Sequence, residues 1–575
     1  MNFARSARHL AAHAATLGFF LAVATLFTWP TARFDSSTFY TRQFDLYGVL
    51  WMLHHVREVL LQGLVSSTNF PLGENATRPD AYVMAGLALL LGNAVPPLSL
   101  VRMIVLLGPV ANAFAAERCA ARGFHIRRPW SLLAGITYGF NGLAATAWLE
   151  GHVYFLFNPW LPLLLLALVQ TTRPGAPRRE GIKAGLYWTL ALATSAYTGI
   201  LATVLAAVYL VRALLEATNR REAALRCSVP LAVFLPFALV HAWLFFGGSG
   251  QRAPDLWRAS TSGGATLAGL VTWWPGVDGK TYHSIATPLG FGMLTLCAFA
   301  PTLLRHERAW RPLLATASVS VLLSFGTVVS PGMGGTWSFP APLALLAGTP
   351  IPRFLHFPVR FLWLTYLCGG LVAARAAARI AHQVGAWRTA PLLLVALLDA
   401  VALTGAPLRA RPVLAQIPSA YNAAPTDRAV LDLFAEQPVV LGDMNTRVTK
   451  LTTYYHTVHR RPVLAAALPT HGTNCRDAVA AALLSELMDW QRDVARGTSP
   501  GTSNIEHMLA DLGIGAVAVH LELFPEPDRT TVLEGLRAAL GPPAAISHDG
   551  GETIVLHVLR TRSNADPTAT FKALF

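Results

Sequence analysis

Long apolar runs separated by short arginine-bearing segments occupy most of the chain between residues 10 and 406. A run of about 20 apolar residues is long enough for a helix to cross the roughly 30 Å hydrocarbon core of a bilayer. The first run follows a basic start but no clear cleavage site follows it, so we expect an uncleaved helix rather than a signal peptide. The predicted spans are 10–31, 98–118, 130–148, 154–171, 182–197, 199–217, 228–246, 286–304, 312–329, 357–381 and 387–406.

The segment 81–94 (AYVMAGLALLLGNA) is apolar but brief, and the distribution of arginines decides how it is interpreted. If it does not span, the basic loops around 118–128, 173–183, 220–226 and 305–311 all fall on the cytoplasmic side, as the positive-inside rule requires. We therefore expect 81–94 to be a re-entrant or interfacial helix packed against protein. This leaves about eleven spans, with the N-terminus cytoplasmic and the C-terminus outside.

The polar tail from about 412 to 560 predicts a small α/β domain on the outer side. Ser503 and Glu506 form a capping box for a helix that ends at Gly513, and a strand follows at 514–521. A hairpin turn at 549–551 leads into another strand at 553–559. We place the boundaries at 1–406 for the membrane domain, with its first outer loop at 32–97, and at 407–575 for the outer domain.

Composition supports a mainly α-helical polytopic membrane protein. Apolar residues make up 53% of the chain and charged residues only 13%, too little polar surface for a soluble protein of 575 residues. The net charge of +14 comes from arginines between the apolar runs, so it indicates membrane topology and not nucleic-acid binding. The five cysteines are scattered and imply neither a disulfide framework nor a zinc site.

The stretch 44–63 (FDLYGVLWMLHHVREVLLQG) is too polar to cross a bilayer and too regular to be a loose loop. It predicts a helix along the outer membrane interface, with Asp45, Met52 and His55 roughly on one face. Asp45 would lie near the N-terminus of this helix, where the helix dipole favours a carboxylate. The carboxylate is either a simple helix-end group or part of a site.

Two further stretches place titratable groups at the same outer face. In the hairpin WLEGHVYFLFNPWLPLLLLAL (148–168), Glu150 and His152 occupy the turn between two spans, where charge is costly unless it has a role. In IPRFLHFPVRFLWLTYL (351–367), Arg353, His356 and Arg360 precede and enter a span. These arginines either reach towards lipid phosphates at the interface or hold one specific phosphate bidentately.

The order of these stretches resembles the GT-C superfamily of membrane glycosyltransferases, and within it the bacterial mannosyltransferase-like and YfhO-like membrane proteins. The segments that carry the resemblance are FDLYGVLWMLHH, NFPLGENATRPD, LEGHVYFLFNPWLPLLLLAL, TPLGFGMLTL and IPRFLHFPVRF, together with YYHTVHRRPVLAAA and LGIGAVAVHLEL in the tail. The resemblance implies a GT-C fold and transfer of a sugar from a polyprenyl-phosphate donor to a glycan, lipid or protein acceptor. It places the site on the outer face of a bacterial cytoplasmic membrane.

Carried over residue by residue, the resemblance assigns catalytic roles to Asp45, as acceptor base, and to Glu150, as a second acid. It assigns binding of the donor phosphate to Arg360, with help from Arg353. The further substrate-binding residues are His55, His152 and His356. Asp45, Glu150 and Arg360 should therefore converge on one cavity. The first loop lacks the Asp-Asp, Asp-Glu or Asp-x-Asp pair of metal-dependent relatives, so the need for a divalent metal stays open.

Two alternatives keep the membrane fold but change the function. The chain could be a non-catalytic scaffold or assembly subunit that docks a protein partner through its C-terminal domain, since function resides in the site and not in the fold. A transporter is a weaker hypothesis, because the sequence shows neither paired hydropathy repeats nor a convincing charged residue deep within a span.

Overall fold

The structure is a computed structural model of the chain. It describes residues 2–29, 31–33, 38–41, 46, 49–50, 52–53, 82–91, 94–149, 151–247, 265–267, 270, 289–330, 338–346, 357–402, 411–414, 418–425, 427–433, 490, 493, 505–511, 513–524, 526, 528–549 and 553–560.

Helices form the membrane part of the chain, and apolar side chains make up most of its buried core. The helices are α1 (Asn2–Phe27), α2 (Tyr82–Leu91), α3 (Pro97–Arg118), α4 (Trp130–Gly139), α5 (Gly142–Leu149), α6 (Trp160–Thr171), α7 (Arg178–Thr194), α8 (Ala196–Glu216), α9 (Arg220–Gly247), α10 (Phe291–Leu303), α11 (Arg311–Ser324), α12 (Leu362–Val384) and α13 (Ala386–Ala402). Short 3₁₀ turns at Val153–Leu156 and Pro358–Phe361 precede α6 and α12.

A helix lies at every position where the hydropathy pattern predicts a span. Within the described residues, six helical segments are long and apolar enough to cross a bilayer by length and composition, and α2, α10 and α11 are shorter apolar helices. The prediction of a mainly α-helical polytopic membrane fold is confirmed.

The predicted span 130–148 is not continuous, because it is divided into α4 and α5 at Phe140–Asn141. The Asn141 side chain stabilises the break by donating to the carbonyl of Tyr138 (2.7 Å) and accepting from the amide of Ala144 (2.9 Å). Backbone groups freed at a helix break within a membrane need such internal partners, since no water is available there.

Helix α2 has 10 residues, which corresponds to about 15 Å of length and half of the hydrocarbon core. The short strands β2 (Val328–Val329) and β3 (Phe339–Pro340) pair with each other. Strand β1 (Thr38–Thr41), after α1, pairs antiparallel with β4 (Arg411–Leu414), after α13. The two strands therefore lie on the same side of the membrane, and an even number of crossings must separate them. This parity agrees with the arrangement in which 81–94 is not counted as a span.

The C-terminal domain contains a four-stranded mixed sheet in the order β5 (Ala429–Leu433), β6 (Ile514–His520), β8 (Ile554–Val558) and β7 (Ala545–Ser547). Strands β5 and β6 are parallel, and β7 and β8 form the predicted antiparallel hairpin. Helices α14 (Ile505–Asp511) and α15 (Asp528–Leu540) pack on one face through the cluster that contains Leu509, Leu536 and Val517. The α/β character of the tail is confirmed, whereas the boundary at 406/407 stays a prediction.

Buried charged side chains do lie within two predicted spans, which corrects the interpretation that the spans hold none. Arg102 in α3 is 3% exposed, and Asp399 in α13 is 7% exposed. The Asp399 carboxylate accepts a hydrogen bond from the Gly292 amide (2.9 Å) at the start of α10. A charge at a helix N-terminus gains from the helix dipole as well as from the hydrogen bond. The Gly292 amide satisfies one oxygen of Asp399, and the other oxygen is buried without a partner among the described residues.

Candidate active site

The guanidinium of Arg360 lies among three aromatic rings at the start of α12. Its central carbon is 4.0 Å from the ring centre of Phe155, 4.5 Å from that of Tyr197 and 4.4 Å from that of Phe357. These rings come from the loop before α6, from the first turn of α8 and from the segment before α12. We call Arg360 with these three rings the aromatic cage.

His152 borders the cage through the same rings. Its imidazole lies 6.2 Å from the ring of Phe155 and 6.5 Å from that of Phe357, between ring centres. The structure thus brings together two of the residues that the sequence predicts for the site, His152 and Arg360. They are separated by more than two hundred positions in the chain.

Helix α3 fixes the loop that carries Phe155. The Asn112 side chain donates to the carbonyl of Leu156 (2.8 Å) and accepts from the amide of Asn158 (2.8 Å). The Tyr138 hydroxyl in α4 donates to the carbonyl of Asn158 (2.8 Å). All three hydrogen bonds are buried, so they hold the loop strongly to the helices.

Tyr197 is positioned by the first turn of α8 and by the segment on its other side. The Ser195 hydroxyl accepts from the amides of Tyr197 (3.1 Å) and Thr198 (3.4 Å), which is the usual N-cap arrangement. The Tyr197 hydroxyl in turn accepts from the amide of Phe357 (2.6 Å). Two walls of the cage are therefore linked by a hydrogen bond, and its geometry does not depend on side-chain packing alone.

Aromatic faces hold a guanidinium through its flat sides and leave its in-plane N–H groups free to donate. Among the residues that the structure describes, no carboxylate lies within ion-pair distance of Arg360. A cation of this kind can bind a planar or tetrahedral oxyanion, such as a carboxylate or a phosphate, through two parallel hydrogen bonds. The cage is therefore chemically suited to an anionic group.

Five of the predicted site residues lie outside the described residues, namely Asp45, His55, Glu150, Arg353 and His356. Their convergence with Arg360 stays a prediction. Within the described part of the chain, no three His, Cys, Asp or Glu side chains are grouped closely enough to hold a metal ion.

Sequence reasoning missed the residues that build the cage around Arg360. Phe155 and Tyr197 lie in apolar segments in which aromatic residues ordinarily mark core or interface positions. Asn112 had a usable signal, because a polar amide in the middle of an apolar span is expensive unless it has partners. The Asn-Gly dipeptide at 141–142 was a comparable signal for the helix break.

No family model matches the chain, and no curated protein is similar to it in sequence. Solved structures are similar in fold. The arabinofuranosyltransferase AftD from Mycobacteria has a TM-score of 0.60 and 16% identity, over 96% of this chain and 40% of AftD. The chain thus spans about two fifths of AftD.

Two further solved structures are less similar in fold. The Archaeoglobus fulgidus oligosaccharyltransferase has a TM-score of 0.47 and 11% identity, over 89% of this chain and 70% of its own. ArnT from Cupriavidus metallidurans, solved with undecaprenyl phosphate, has a TM-score of 0.47 and 13% identity, over 95% of this chain and 98% of ArnT. The narrower resemblance to YfhO-like proteins stays a prediction. The helical arrangement and the match to AftD show that this chain has the fold of the GT-C membrane glycosyltransferases.

Proposed function

We propose that the chain is a membrane glycosyltransferase that moves a sugar from a polyprenyl-phosphate donor to an acceptor hydroxyl. The observation that carries the proposal is the aromatic cage, which holds the Arg360 cation in the turn before α12 without a carboxylate partner among the described residues. Arg360 is only partly buried, so a ligand can reach its guanidinium, and the phosphate of a lipid-linked sugar would use its charge. AftD, which shares the fold, is named as an arabinofuranosyltransferase.

The reaction we propose is a single displacement. The acceptor oxygen attacks the anomeric carbon while the bond between that carbon and the phosphate oxygen breaks, and the bonding electrons leave with the polyprenyl phosphate. Asp45 takes the proton of the acceptor hydroxyl, a role typically worth about 10²- to 10⁴-fold in rate. Arg360 stabilises the negative charge that grows on the leaving phosphate. One base and one leaving group on opposite sides imply inversion at the anomeric carbon.

The remaining predicted site residues complete the proposal. Arg353 and His356 come a few positions before Arg360 in the sequence and would assist in holding the phosphate. Glu150, two positions before His152, would be a second acid, and His55 and His152 would orient substrate or act as alternative bases. The site would face the outside of the bacterial cytoplasmic membrane, where a lipid-linked donor needs no nucleotide-binding motif.

The test uses the purified full chain in liposomes with polyprenyl-phosphate sugars and a mixture of candidate acceptors. We expect sugar transfer with inverted configuration at the anomeric carbon, read by NMR of the product. Asp45→Asn and Arg360→Gln should each reduce transfer at least a hundredfold, whereas Arg388→Gln, an exposed arginine on α13, should leave it unchanged. Retention of full activity in both site variants would contradict the proposal.

The scaffold alternative makes the opposite prediction. A wild-type chain without transferase activity, whose cellular role is unaffected by Asp45→Asn but abolished by removal of 412–560, would support a docking function instead.

A further inference from the structure

A cavity lies at the other end of the helix bundle from the aromatic cage. Its volume is about 610 Å³, and it forms where α3, α6 and α8 end and where α9 and α11 begin. Arg375, which lines it, is fifteen positions after Arg360 on the same helical segment, or about 20 Å along the axis. The cavity therefore cannot be part of the site built around the cage.

Four arginines and three glutamates line this cavity. Arg212 pairs with Glu216 (3.0 Å), Arg226 with Glu222 (2.7 Å), and Arg375 binds Glu307 through two hydrogen bonds (2.8 and 3.0 Å). A fourth arginine in the lining, Arg173, donates to the backbone carbonyl of Gly123 (3.2 Å). No carboxylate among the described residues pairs with Arg173, so its charge is available to a ligand.

Two buried donors in the lining have no partner among the described residues. Tyr209 is 5% exposed, and its hydroxyl makes no hydrogen bond there. The Nε of Arg226 is likewise buried and unpaired. Because a buried donor without a partner costs about 1–3 kcal/mol, few such groups persist in native structures without a ligand or water. A ligand with acceptor oxygens would satisfy both donors.

The backbone at the cavity rim is also strained. His125 lines the cavity with φ of +54°, and among the described residues it is the one non-glycine residue with positive φ. That conformation costs about 1–2 kcal/mol and tends to persist at sites that bind ligands. The strained backbone of His125 thus lies in the same cavity as the unpaired donors of Tyr209 and Arg226. Arg173, which has no carboxylate partner among the described residues, lines this cavity too.

We propose that this cavity binds a phosphate ester, independently of the transferase proposal. A phosphate offers three or more acceptor oxygens, enough to engage the Arg173 guanidinium and the Tyr209 hydroxyl together. The volume is typical of a small-molecule site, and the arginine-rich loops around it are the ones expected at the cytoplasmic leaflet. The ester is either the headgroup of an anionic phospholipid or a soluble phosphate ester, because both present the same chemistry.

The experiment measures the thermal unfolding midpoint of the purified full chain in neutral detergent with three additives. These are short-chain phosphatidylglycerol, short-chain phosphatidylcholine as the lipid without net charge, and glycerol 3-phosphate. We expect phosphatidylglycerol or glycerol 3-phosphate to raise the midpoint in a saturable manner, well beyond phosphatidylcholine. A response to phosphatidylglycerol alone assigns the site to a lipid headgroup, and a response to glycerol 3-phosphate assigns it to a soluble ester.

Variants distinguish the cavity from general charge effects. Arg173→Gln should weaken the apparent affinity at least tenfold, and Tyr209→Phe should weaken it several-fold. Tyr209→Phe removes a hydroxyl without a described partner, so it should fold at least as well as the wild type. Arg388→Gln, exposed and outside the cavity, is the matched control. Equal responses in all three variants, or no response of the wild type to either phosphate probe, would overturn the proposal.

Discussion

Gly108 of α3 lies directly against the backbone carbonyl of Leu156. A Cβ atom placed on Gly108 would lie 2.7 Å from the Leu156 oxygen and 3.0 Å from its carbonyl carbon. Only glycine allows the loop before α6 to approach the helix this closely. The contact adjoins Asn112, which binds the same carbonyl one turn further along α3.

Gly108→Ala should therefore displace the loop that carries Phe155 and open the aromatic cage. We expect a loss of about 1–3 kcal/mol in stability, as for other overpacked sites, and at least a tenfold loss of sugar transfer. Gly18→Ala in α1 is the control, because a Cβ there would meet nothing within 4 Å. Thermal unfolding in detergent and the transfer assay measure both effects. Equal behaviour of the two variants would show that the close contact does not matter.

The sequence predicts the membrane helices well but the site only in part. Apolar runs mark where the membrane helices lie, so a helix occurs at each predicted span, although the run at 130–148 contains two helices. The cage depends on side chains from segments far apart in the chain, such as Phe155, Tyr197 and Arg360, and hydropathy carries no information about which of them meet. The same holds for Asp399, whose partner Gly292 is 107 positions away.

Arg360→Lys tests whether the planar guanidinium matters in addition to the charge. Lysine keeps the positive charge but cannot stack flat against three rings or form two parallel hydrogen bonds to a phosphate. We expect at least a tenfold reduction in kcat/KM for the lipid-linked donor in the liposome assay. Arg388→Lys on α13 is the matched exchange at an exposed position. Wild-type kinetics in Arg360→Lys would mean that the cage serves only as a packing element.

A buried polar network in the C-terminal domain should contribute to its stability. The Tyr421 hydroxyl donates to Asp432 Oδ1, and His520 Nε2 lies 3.1 Å from the same oxygen. All three side chains are buried. Asp432→Ala removes the shared acceptor and should destabilise the domain by about 1–3 kcal/mol.

Hydrogen exchange of the β5 and β6 amides in the full chain measures this effect. The exposed residue Asp427, just before β5, provides the control variant Asp427→Ala, which we expect to exchange as the wild type does. Faster exchange in both variants alike would attribute the effect to lost surface charge and not to the network.

The same domain should lose stability in acid in two stages. His557 is 1% exposed, and burial, assisted by the charge of Arg537, holds the pKa of its imidazole below the usual value. Its Nδ1 donates to the Gly541 carbonyl (3.0 Å), while Nε2 is buried without a partner among the described residues. Protonation at Nε2 would thus bury an unpaired charged donor. The neutral imidazole of His557 therefore contributes fully to the stability of the domain above about pH 6.5. This contribution decreases as the pH falls from 6.5 towards the folded-state pKa of His557.

Asp549 accounts for the second stage. Its carboxylate accepts from the Ser419 amide (2.9 Å), and this hydrogen bond lowers the pKa of Asp549. Its contribution is therefore present above about pH 4 and is lost as the pH falls through the folded-state pKa. Exchange rates of the β8 amides between pH 3 and 8 measure both stages. In His557→Asn, which keeps a donor towards Gly541, the stage below pH 6.5 should vanish while the acidic stage remains. A variant profile identical to that of the wild type would assign the first stage to another group.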